Sequence, residues 1–449
     1  MKKRSPVILI IIGITGDLAR RKLLPAIEQI AAAGELPKHF QVLGITRRQI
    51  TAEAVLKEVI NLKPGSYSYL KKHLSLYRMD LTKSKAYAKL KQDLYKLSKP
   101  FGQPSQQLFY LAIPPQVSPS VVEQLGKAGL AAQPGTKLLM EKPFGTDLTS
   151  ARDLITRIQQ YFNEDQIYRI DHYLAKEMAQ NLLVFRSGNS LFKNTWNNQF
   201  IEKIEVINSE KIGVEGRAAF YEQTGALRDM VQSHLLQLAA LVLMRLPAAD
   251  DLSQIQSLRY EALAALRPPT AEEVKSRVSR AQYEGYGAAV GNQKSTVETF
   301  VSLTLYSDEY RWNGVPIVLT VGKALDQQVI EIRMSYKKQT AEEANQLTLR
   351  LQPYEGIEFD FWSKRPGYDR QLENVPLSFA YRDHFETLPE AYEKVLLDAI
   401  HSDHSLFPSS AEVLASWKIL EPIQRVWARE KKPLKVYKPG SSIEEVMSL

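Results

Sequence analysis

Val7-Ile8-Leu9-Ile10-Ile11-Ile12-Gly13-Ile14-Thr15-Gly16-Asp17-Leu18-Ala19 decides the fold of this chain. Six apolar, mostly β-branched residues stop at a glycine, and Asp17 to Ala33 then carries Leu18, Leu23, Leu24, Ile27 and Ile30 at helical spacing. The pattern predicts a buried strand, a tight turn and a helix. Further apolar runs at Gln41-Val42-Leu43-Gly44-Ile45, Leu108-Phe109-Tyr110-Leu111-Ala112 and Lys137-Leu138-Leu139-Met140 alternate with helix-length segments around residues 51–61, 82–98, 118–130 and 147–161. That alternation predicts an α/β domain of the Rossmann type, a doubly wound parallel sheet, over residues 1–169.

In such a sheet the turn after the first strand is where a dinucleotide pyrophosphate sits, against backbone N–H groups at a helix N-terminus. Gly13, Gly16 and Ala19 occupy that place, spaced Gly-x-x-Gly-x-x-Ala rather than Gly-x-Gly-x-x-Gly, with Gly13, Thr15, Gly16, Asp17 and Leu18 as the candidate cofactor-binding residues. An acidic residue at the end of the second strand accepts a ribose 2′-hydroxyl, whereas arginine accommodates a 2′-phosphate. Here the strand ends Gly44-Ile45-Thr46-Arg47-Arg48, without a carboxylate. The expectation is NADP, with NAD the weaker alternative. Arg47 is then the main phosphate contact, and Arg48, Thr15 and Lys22 are its helpers. A solvated basic turn is the plainer reading of the two arginines.

A chain of 449 residues exceeds what one hydrophobic core usually supports, so a second domain is expected. After about residue 170 the pattern changes to alternating runs such as Phe300-Val301-Ser302-Leu303-Thr304-Leu305, Val329-Ile330-Glu331-Ile332 and Leu347-Thr348-Leu349-Arg350-Leu351. These are strands with one solvated face, and they predict a larger α+β domain over 170–449 with a mainly antiparallel sheet. The 58 Lys and Arg against 50 Asp and Glu give a net charge of +8, which favours anionic partners. No zinc-finger spacing, RNA-binding aromatic signature or long basic run points to nucleic acid.

Absence of cysteine excludes disulfides, thiol catalysis and thiolate-bound metal, and the histidines lack paired ligand spacing, so no metal is expected. Met1-Lys2-Lys3-Arg4 before the apolar run resembles a secretory leader only superficially, because six apolar residues are too few. Nothing reaches the roughly 18 uninterrupted apolar residues that span a membrane. A cytoplasmic location follows as an expectation.

The chemistry concentrates in Arg169-Ile170-Asp171-His172-Tyr173-Leu174-Ala175-Lys176-Glu177, where cations, a phenol and a carboxylate–imidazole pair suit an anionic, hydroxylated ligand. Oxidising an alcohol needs a base for the hydroxyl proton, most often histidine. Of seven histidines, His39, His73, His384, His401 and His404 have no accompanying constellation. His172 and His234 do. His234 follows Asp229 by five residues on an expected helix from Ala226 through Leu243, with Met230, His234 and Gln237 on approximately one face. A core helix with one satisfied histidine is the plainer reading.

Gly-Ile-Thr-Gly-Asp-Leu-Ala from Gly13, Glu-Lys-Pro-Phe-Gly from Glu141 and Arg-Ile-Asp-His-Tyr-Leu from Arg169 resemble the hallmark motifs of the glucose-6-phosphate dehydrogenase family. The likeness continues with Tyr-Leu-Ala-Ile-Pro-Pro at Tyr110, Gly-Ala-Leu-Arg-Asp-Met-Val-Gln at Gly225, Arg-Trp-Asn-Gly-Val-Pro at Arg311, Gly-Lys-Ala-Leu at Gly322 and Leu-Gln-Pro-Tyr-Glu-Gly at Leu351. It implies that His234 is the general base, that Asp171 orients it, and that hydride leaves the sugar C1 for NADP. It places His172, Tyr173 and Lys176 at the phosphate of glucose 6-phosphate, and Lys142 against both substrate and cofactor. Glu210, Asp229 and Gln352 match residues that bind sugar hydroxyls, and Lys323 matches a lysine across the substrate. The family also implies a homodimer or homotetramer joined through the second domain's sheet.

Four departures stand out. Gln328 replaces a second basic residue, Glu222 an aspartate and Ser233 an asparagine, while Leu406-Phe407-Pro408-Ser409-Ser410 lacks an arginine-and-aspartate pattern. Two other readings compete. Glu141-Lys142-Pro143 also resembles the broader glucose–fructose oxidoreductase-like group, which implies another sugar substrate. A catalytically silent NADP-binding regulatory protein is the second, motivated by Gln328 and the altered C-terminal stretch.

Overall fold

The computed structural model describes residues 5–59, 66–248, 251–338, 344–430 and 433–449. They form two compact units. The first comprises Met1–Gly145, Thr149–Ala175 and Pro389–Ser410, and the second Thr146–Leu148, Lys176–Leu388 and Ala411–Leu449.

In the first unit β1 (Val7–Ile12), β2 (Phe40–Thr46), β3 (Leu74–Arg78), β4 (Gln106–Leu111), β5 (Thr136–Glu141) and β6 (Ile167–Ile170) lie in the order β3-β2-β1-β4-β5-β6. Every neighbouring pair is parallel, which is the expected doubly wound sheet. All six residues of β1 are buried, as a central strand covered on both faces must be. The order reverses between β1 and β4, the switch point at which such sheets open a ligand crevice.

The expected helix from Asp17 to Ala33 is present in two parts, Ala19–Leu23 with widened i→i+5 turns and regular Leu24–Ala32. Pro25 has no N–H to return to the preceding turn, which accounts for the change of pitch there. The segments expected near 51–61, 82–98, 118–130 and 147–161 contain the helices Ala52–Lys57, Ser84–Ser98, Ser118–Lys127 and Leu148–Gln159, and residues 60–61 of the first lie outside the described residues. β3 and β6 had no sequence signal of their own. β6 is only four residues long, and β3 is an edge strand with Leu74 as its one buried residue.

The units divide at Ala175 rather than at residue 169, and Pro389–Ser410 returns to the first unit. The reason is hydrophobic. The helix Ala391–His401 buries Tyr392, Val395, Leu396, Ala399 and Ile400 in the cluster that contains Val7, Leu9 and Ile27. Lys137 secures its last turn, donating to the Ala399 and Ile400 carbonyls, to Ser402 Oγ at 2.8 Å and to Gln106 Oε1 at 2.6 Å. A cation there complements the negative end of the helix dipole. Burial pushes the Lys137 ammonium down to about 8.

The second unit is built on nine strands: β7 (Ile201–Ser209), β8 (Val278–Tyr283), β9 (Phe300–Leu305), β10 (Ile317–Gly322), β11 (Val329–Tyr336), β12 (Gln346–Gln352), β13 (Gly356–Lys364), β14 (Leu372–Ala380) and β15 (Lys435–Tyr437). Their order is β14-β13-β12-β11-β7-β10-β9-β8-β15, parallel only at β7–β10 and β8–β15, so the sheet is mainly antiparallel as expected. Leu227–Leu235, again with widened turns, continues into the fully buried Leu236–Leu243.

Side chains fix both ends of this helix. At its start the Glu298 carboxylate accepts the Leu227 N–H at 3.0 Å, and Gly225, at φ +67°, is the residue that lets Glu298 approach, since a Cβ there would strike the carboxylate. At its end Arg186 donates to the carbonyls of Leu241 at 2.8 Å and Met244 at 2.7 Å, Trp196 to Val242 at 2.8 Å, and Trp312 and Arg311 to Leu243 at 2.8 and 3.1 Å. Carbonyls that a helix end leaves without partners are thus satisfied by side chains. Arg186 also stacks on Trp196, 5.0 Å from the ring centroid.

Arg259 and Glu412 form a fully buried ion pair at 2.7 Å. Replacing Arg259 with Leu leaves the Glu412 charge buried, so unfolding in denaturant is expected to show a loss of about 3–5 kcal/mol. A loss below about 1 kcal/mol, the worth of a surface pair, would contradict that reading.

Candidate active site

The glycine turn has the conformation its sequence requires. Gly13 sits at φ +95°, and a Cβ there would lie inside the contact shell of the Ala112 carbonyl oxygen just beyond β4. The Gly13 N–H bonds the Ile45 carbonyl at 3.1 Å, and the Gly16 N–H bonds the Gly13 carbonyl at 2.8 Å. Gly13, Thr15, Gly16 and Leu18 keep partial exposure around the turn. Asp17 is exposed and bonds Arg21 at 2.6 Å, while Lys22 bonds Glu390 at 2.9 Å.

Arg47 and Arg48 are both exposed at the end of β2. The Arg48 N–H donates to Thr46 Oγ1 at 3.1 Å, which fixes the turn that presents them. Among the described residues neither arginine forms a close ion pair with a carboxylate, although Arg47 is near enough to Asp80 to help lower its carboxyl. The residues present fit a dinucleotide with a 2′-phosphate.

At the ends of β5 and β6 the first unit gathers a second group. Asp171 is 2% exposed, and its Oδ1 accepts the Tyr173 N–H at 3.0 Å, closing a turn that presents His172 and Tyr173 together. The His172 ring stands edge-on to Tyr173 at 4.9 Å and parallel to Tyr392 at 6.3 Å. Lys142 follows Glu141, whose carboxylate accepts the Tyr110 hydroxyl at 2.5 Å and the Tyr392 hydroxyl. Burial pushes the Glu141 carboxyl up to about 7 against the pull of those two hydroxyls and Lys142, and Asp171 adds to the rise. Arg169, which the sequence offered as an anion ligand, is instead 1% exposed and bonded to Glu164 at 2.7 Å and Ser410 at 2.6 Å.

The second unit contributes another cluster. Residues five apart on an α-helix diverge by about 140°, and the wider i→i+5 turns over Leu227–Leu235 reduce that divergence between Asp229 and His234. Both are buried, at 4% and 1% exposure. Arg217 lies 3.8 Å from Asp229, and Ser233 bonds back to the Asp229 carbonyl at 3.0 Å. Lys323, after β10, bonds Glu210, which follows β7, and its ammonium stands 5.3 Å from the centre of the Tyr221 ring. Lys176 precedes the helix Glu177–Gly188, and Gln352 ends β12.

Tyr221 and Glu298 were not singled out from the sequence. The Tyr221 side chain is 1% exposed, and its hydroxyl has no hydrogen-bond partner among the described residues. Burial, with Asp229, Glu298 and Glu210 nearby, holds it protonated far above the ordinary phenol range. It precedes the quoted Gly225 motif by four residues and carried no spacing that could have flagged it. Tyr110 and Tyr392 are a similar case, since only folding joins them to Glu141.

The structure also places the departures. Gln328 accepts the Lys211 N–H at 3.2 Å. Glu222 takes donors from Tyr286, Asn292 and Ser295, each at 2.8 Å, and so ties down the loop that carries them. Leu406 and Phe407 belong to the first unit's core.

A switch-point glycine turn followed by two arginines, together with a second unit that buries His234 and Asp229 on one helix, fits a nicotinamide-dependent dehydrogenase. The match extends to both units. Residues 10–181 match the NAD binding domain of glucose-6-phosphate dehydrogenase and residues 183–447 its C-terminal domain. The chain is 36% identical to glucose-6-phosphate 1-dehydrogenase 2 of Mycobacterium bovis, over 98% of this chain and 93% of that one. It is 34% identical to glucose-6-phosphate 1-dehydrogenase of Bacillus subtilis, over 98% and 95%. A solved glucose-6-phosphate dehydrogenase in complex with its substrate glucose-6-phosphate superposes with a TM-score of 0.92 at 28% identity, covering 100% of this chain and 98% of that one. The chain belongs to the glucose-6-phosphate dehydrogenase family.

Gly13→Ala is expected to weaken NADPH binding at least about tenfold, or about 1.4 kcal/mol, because both its φ and the Ala112 carbonyl exclude a side chain. Quenching of protein fluorescence by NADPH reads this directly. Unchanged affinity would separate the turn from the cofactor.

Proposed function

We propose that this chain oxidises glucose 6-phosphate at C1 to 6-phosphoglucono-1,5-lactone with NADP as acceptor, the first oxidative step of the pentose phosphate route. The observation that carries the reading is that likeness to glucose-6-phosphate dehydrogenases runs through both units, over 98% of the chain, rather than through the nucleotide-binding unit alone. A catalytically silent binder gains no support from relatives named as enzymes.

His234 is the general base. Its imidazole takes the C1 hydroxyl proton as hydride leaves the same carbon, and a base ordinarily near neutral pH suits that task. Asp171 orients the imidazole and stabilises its charged form. His172, Tyr173 and Lys176 hold the phosphate, since two cationic donors and a hydroxyl match its oxygens. Glu210, Asp229, Lys323 and Gln352 hold the sugar hydroxyls. The Glu210–Lys323 bond supports this role because it keeps two long side chains ordered before substrate arrives.

NADP, when bound, supplies the hydride acceptor. Gly13, Thr15, Gly16, Asp17 and Leu18 line its turn. Arg47, with Arg48 and Lys22, holds the 2′-phosphate, and Lys142 faces both ligands.

We also infer a homo-oligomer and a cytoplasmic enzyme. The outer hairpin β13–β14 exposes Phe361 at 48%, Val375 at 44% and Leu377 at 58%, with Phe361 opposite Val375 and Phe359 opposite Leu377 in register. An exposed apolar row on an edge hairpin is a surface that a second copy can cover. Leu377→Asp is expected to shift the mass by light scattering toward the monomer, and an unchanged assembly would place the interface elsewhere. As to location, among the described residues no helix is long and apolar enough to cross a membrane. Imaging the tagged chain in its source cells tests the compartment, and secretion would overturn it.

The deciding experiment follows nicotinamide reduction with glucose 6-phosphate, NADP and NAD in parallel, and glucose as control. Fast NADP reduction that needs the sugar phosphate supports the assignment, and folded protein that binds NADP without turnover overturns it. His234→Asn is expected to lower kcat by about two to four orders of magnitude while substrate still binds. Lys176→Ala is expected to raise the sugar-phosphate KM by about ten- to a hundredfold, the worth of one charged hydrogen bond. Near-normal turnover in His234→Asn would remove it as the base.

A further inference from the structure

Arg186 is 2% exposed, and its two terminal nitrogens donate to the Leu241 and Met244 carbonyls at 2.8 and 2.7 Å. Its Nε has no hydrogen-bond partner, and among the described residues no carboxylate pairs with it. A guanidinium out of water is costly unless an opposite charge meets it. The second unit follows that rule at Arg259, which meets Glu412 at 2.7 Å. Arg186 has only carbonyls, and the end of a helix offers roughly half a negative charge. Burial, and after it the neighbouring Arg311 charge, pushes the Arg186 guanidinium below its usual range.

Arg186 and Arg311 line one cavity of about 390 Å³, and Lys193, exposed on the helix Ser190–Thr195, gives it a third cation. No acid lines it among the described residues. Glu309, just outside, bonds Arg311 at 2.7 Å. Three cations against that one carboxylate leave two positive charges in excess. The walls are ordered. Trp196 stacks on Arg186, and Asn198 donates to the carbonyls of Tyr310 at 3.0 Å and Asn313 at 3.1 Å. Tyr310 itself is 77% exposed and presents its ring beside the opening.

We propose that this cavity is a binding site for a phosphorylated metabolite, whose phosphate is held by Arg186, Arg311 and Lys193. A phosphate near its second ionisation carries about the charge in excess here, and its oxygens match the guanidinium fork. A single carboxylate would neutralise only half of that excess. The site is separate from the residues assigned to the substrate. Leu241 and Leu243, whose carbonyls Arg186 and Arg311 hold, follow His234 by seven and nine residues, or roughly 10–14 Å along the helix. A bound dianion therefore leaves the reacting atoms untouched and strengthens the anchor at the far end of the His234 helix.

Calorimetric titration of the full-length protein with inorganic pyrophosphate tests this, with glucose 6-phosphate in excess and NADP left out so that the substrate site stays filled. One pyrophosphate per chain is expected. Lys193→Glu reverses a charge on an exposed side chain outside the helix anchor, and it should weaken that binding at least about tenfold, the worth of one charged hydrogen bond. Pyrophosphate should also raise the Tm of the parent and leave that of Lys193→Glu nearly unchanged. Inorganic phosphate and AMP distinguish the sources of the group. Equal affinities assign the site to the phosphate alone, and tighter AMP assigns it to a nucleotide whose base meets Tyr310.

Pyrophosphate that does not bind the parent at millimolar concentration, or that binds Lys193→Glu as tightly as the parent, would overturn the proposal. Should Lys193→Glu not fold, Lys193→Ala carries the same comparison. The assigned reaction stands apart from this result, since a protein without turnover that loses pyrophosphate binding in Lys193→Glu would uphold the site and fault the reaction alone.

Discussion

The anchoring of the helix that carries His234 is the constraint on which the second unit's core depends. A helix end ordinarily exposes backbone groups to water, and a buried end without partners is costly. Glu298 takes the first N–H group, while Arg186, Trp196, Trp312 and Arg311 take the last carbonyls. The signs also suit the helix dipole, an acid at the start and guanidinium groups at the finish. With both ends fixed, the intervening widened turns that carry Asp229 and His234 are held in place.

The first unit solves a different problem with the same economy of parts. Its crevice must admit a dinucleotide close to the backbone, and the β1 turn passes so near Ala112 that only glycine fits at position 13. The reversal of strand order between β1 and β4 creates that space, and the arginines after β2 supply the charge. Glu141, Lys142, Asp171 and His172 then collect at the ends of the strands on the far side of the reversal. One topological feature sets out both the cofactor turn and the acids.

Several groups quoted from the sequence have structural work. Arg169 neutralises Glu164 and bonds Ser410, which holds the returning segment Pro389–Ser410 against the first sheet. Glu222, a longer acid than the family's usual aspartate, reaches three donors around residues 286–295. The Arg311-Trp312 pair, quoted only as a resemblance, caps the His234 helix. Such roles are invisible in a linear reading because each joins residues far apart in the chain.

By itself the sequence determined what short-range physics determines. The β-branched run Val7–Ile12 before Gly13 could only be a buried strand and turn, and its alternation with helical spacing required a parallel sheet. The acid-free ending at Arg47-Arg48 pointed to a phosphate, and the motif around Arg169 to Lys176 carried the resemblance to the family. Tertiary structure alone decided the rest. β3 and β6 carry too little apolar pattern to declare themselves, and Pro389–Ser410 joins the first unit because its buried face fits that core. The Tyr110–Glu141–Tyr392 clamp, the Tyr221 ring beneath the Lys323 ammonium and the two-ended anchoring of the His234 helix depend on contacts across scores or hundreds of residues. Periodicity records which side of an element is buried, but not which distant side chain will meet it there.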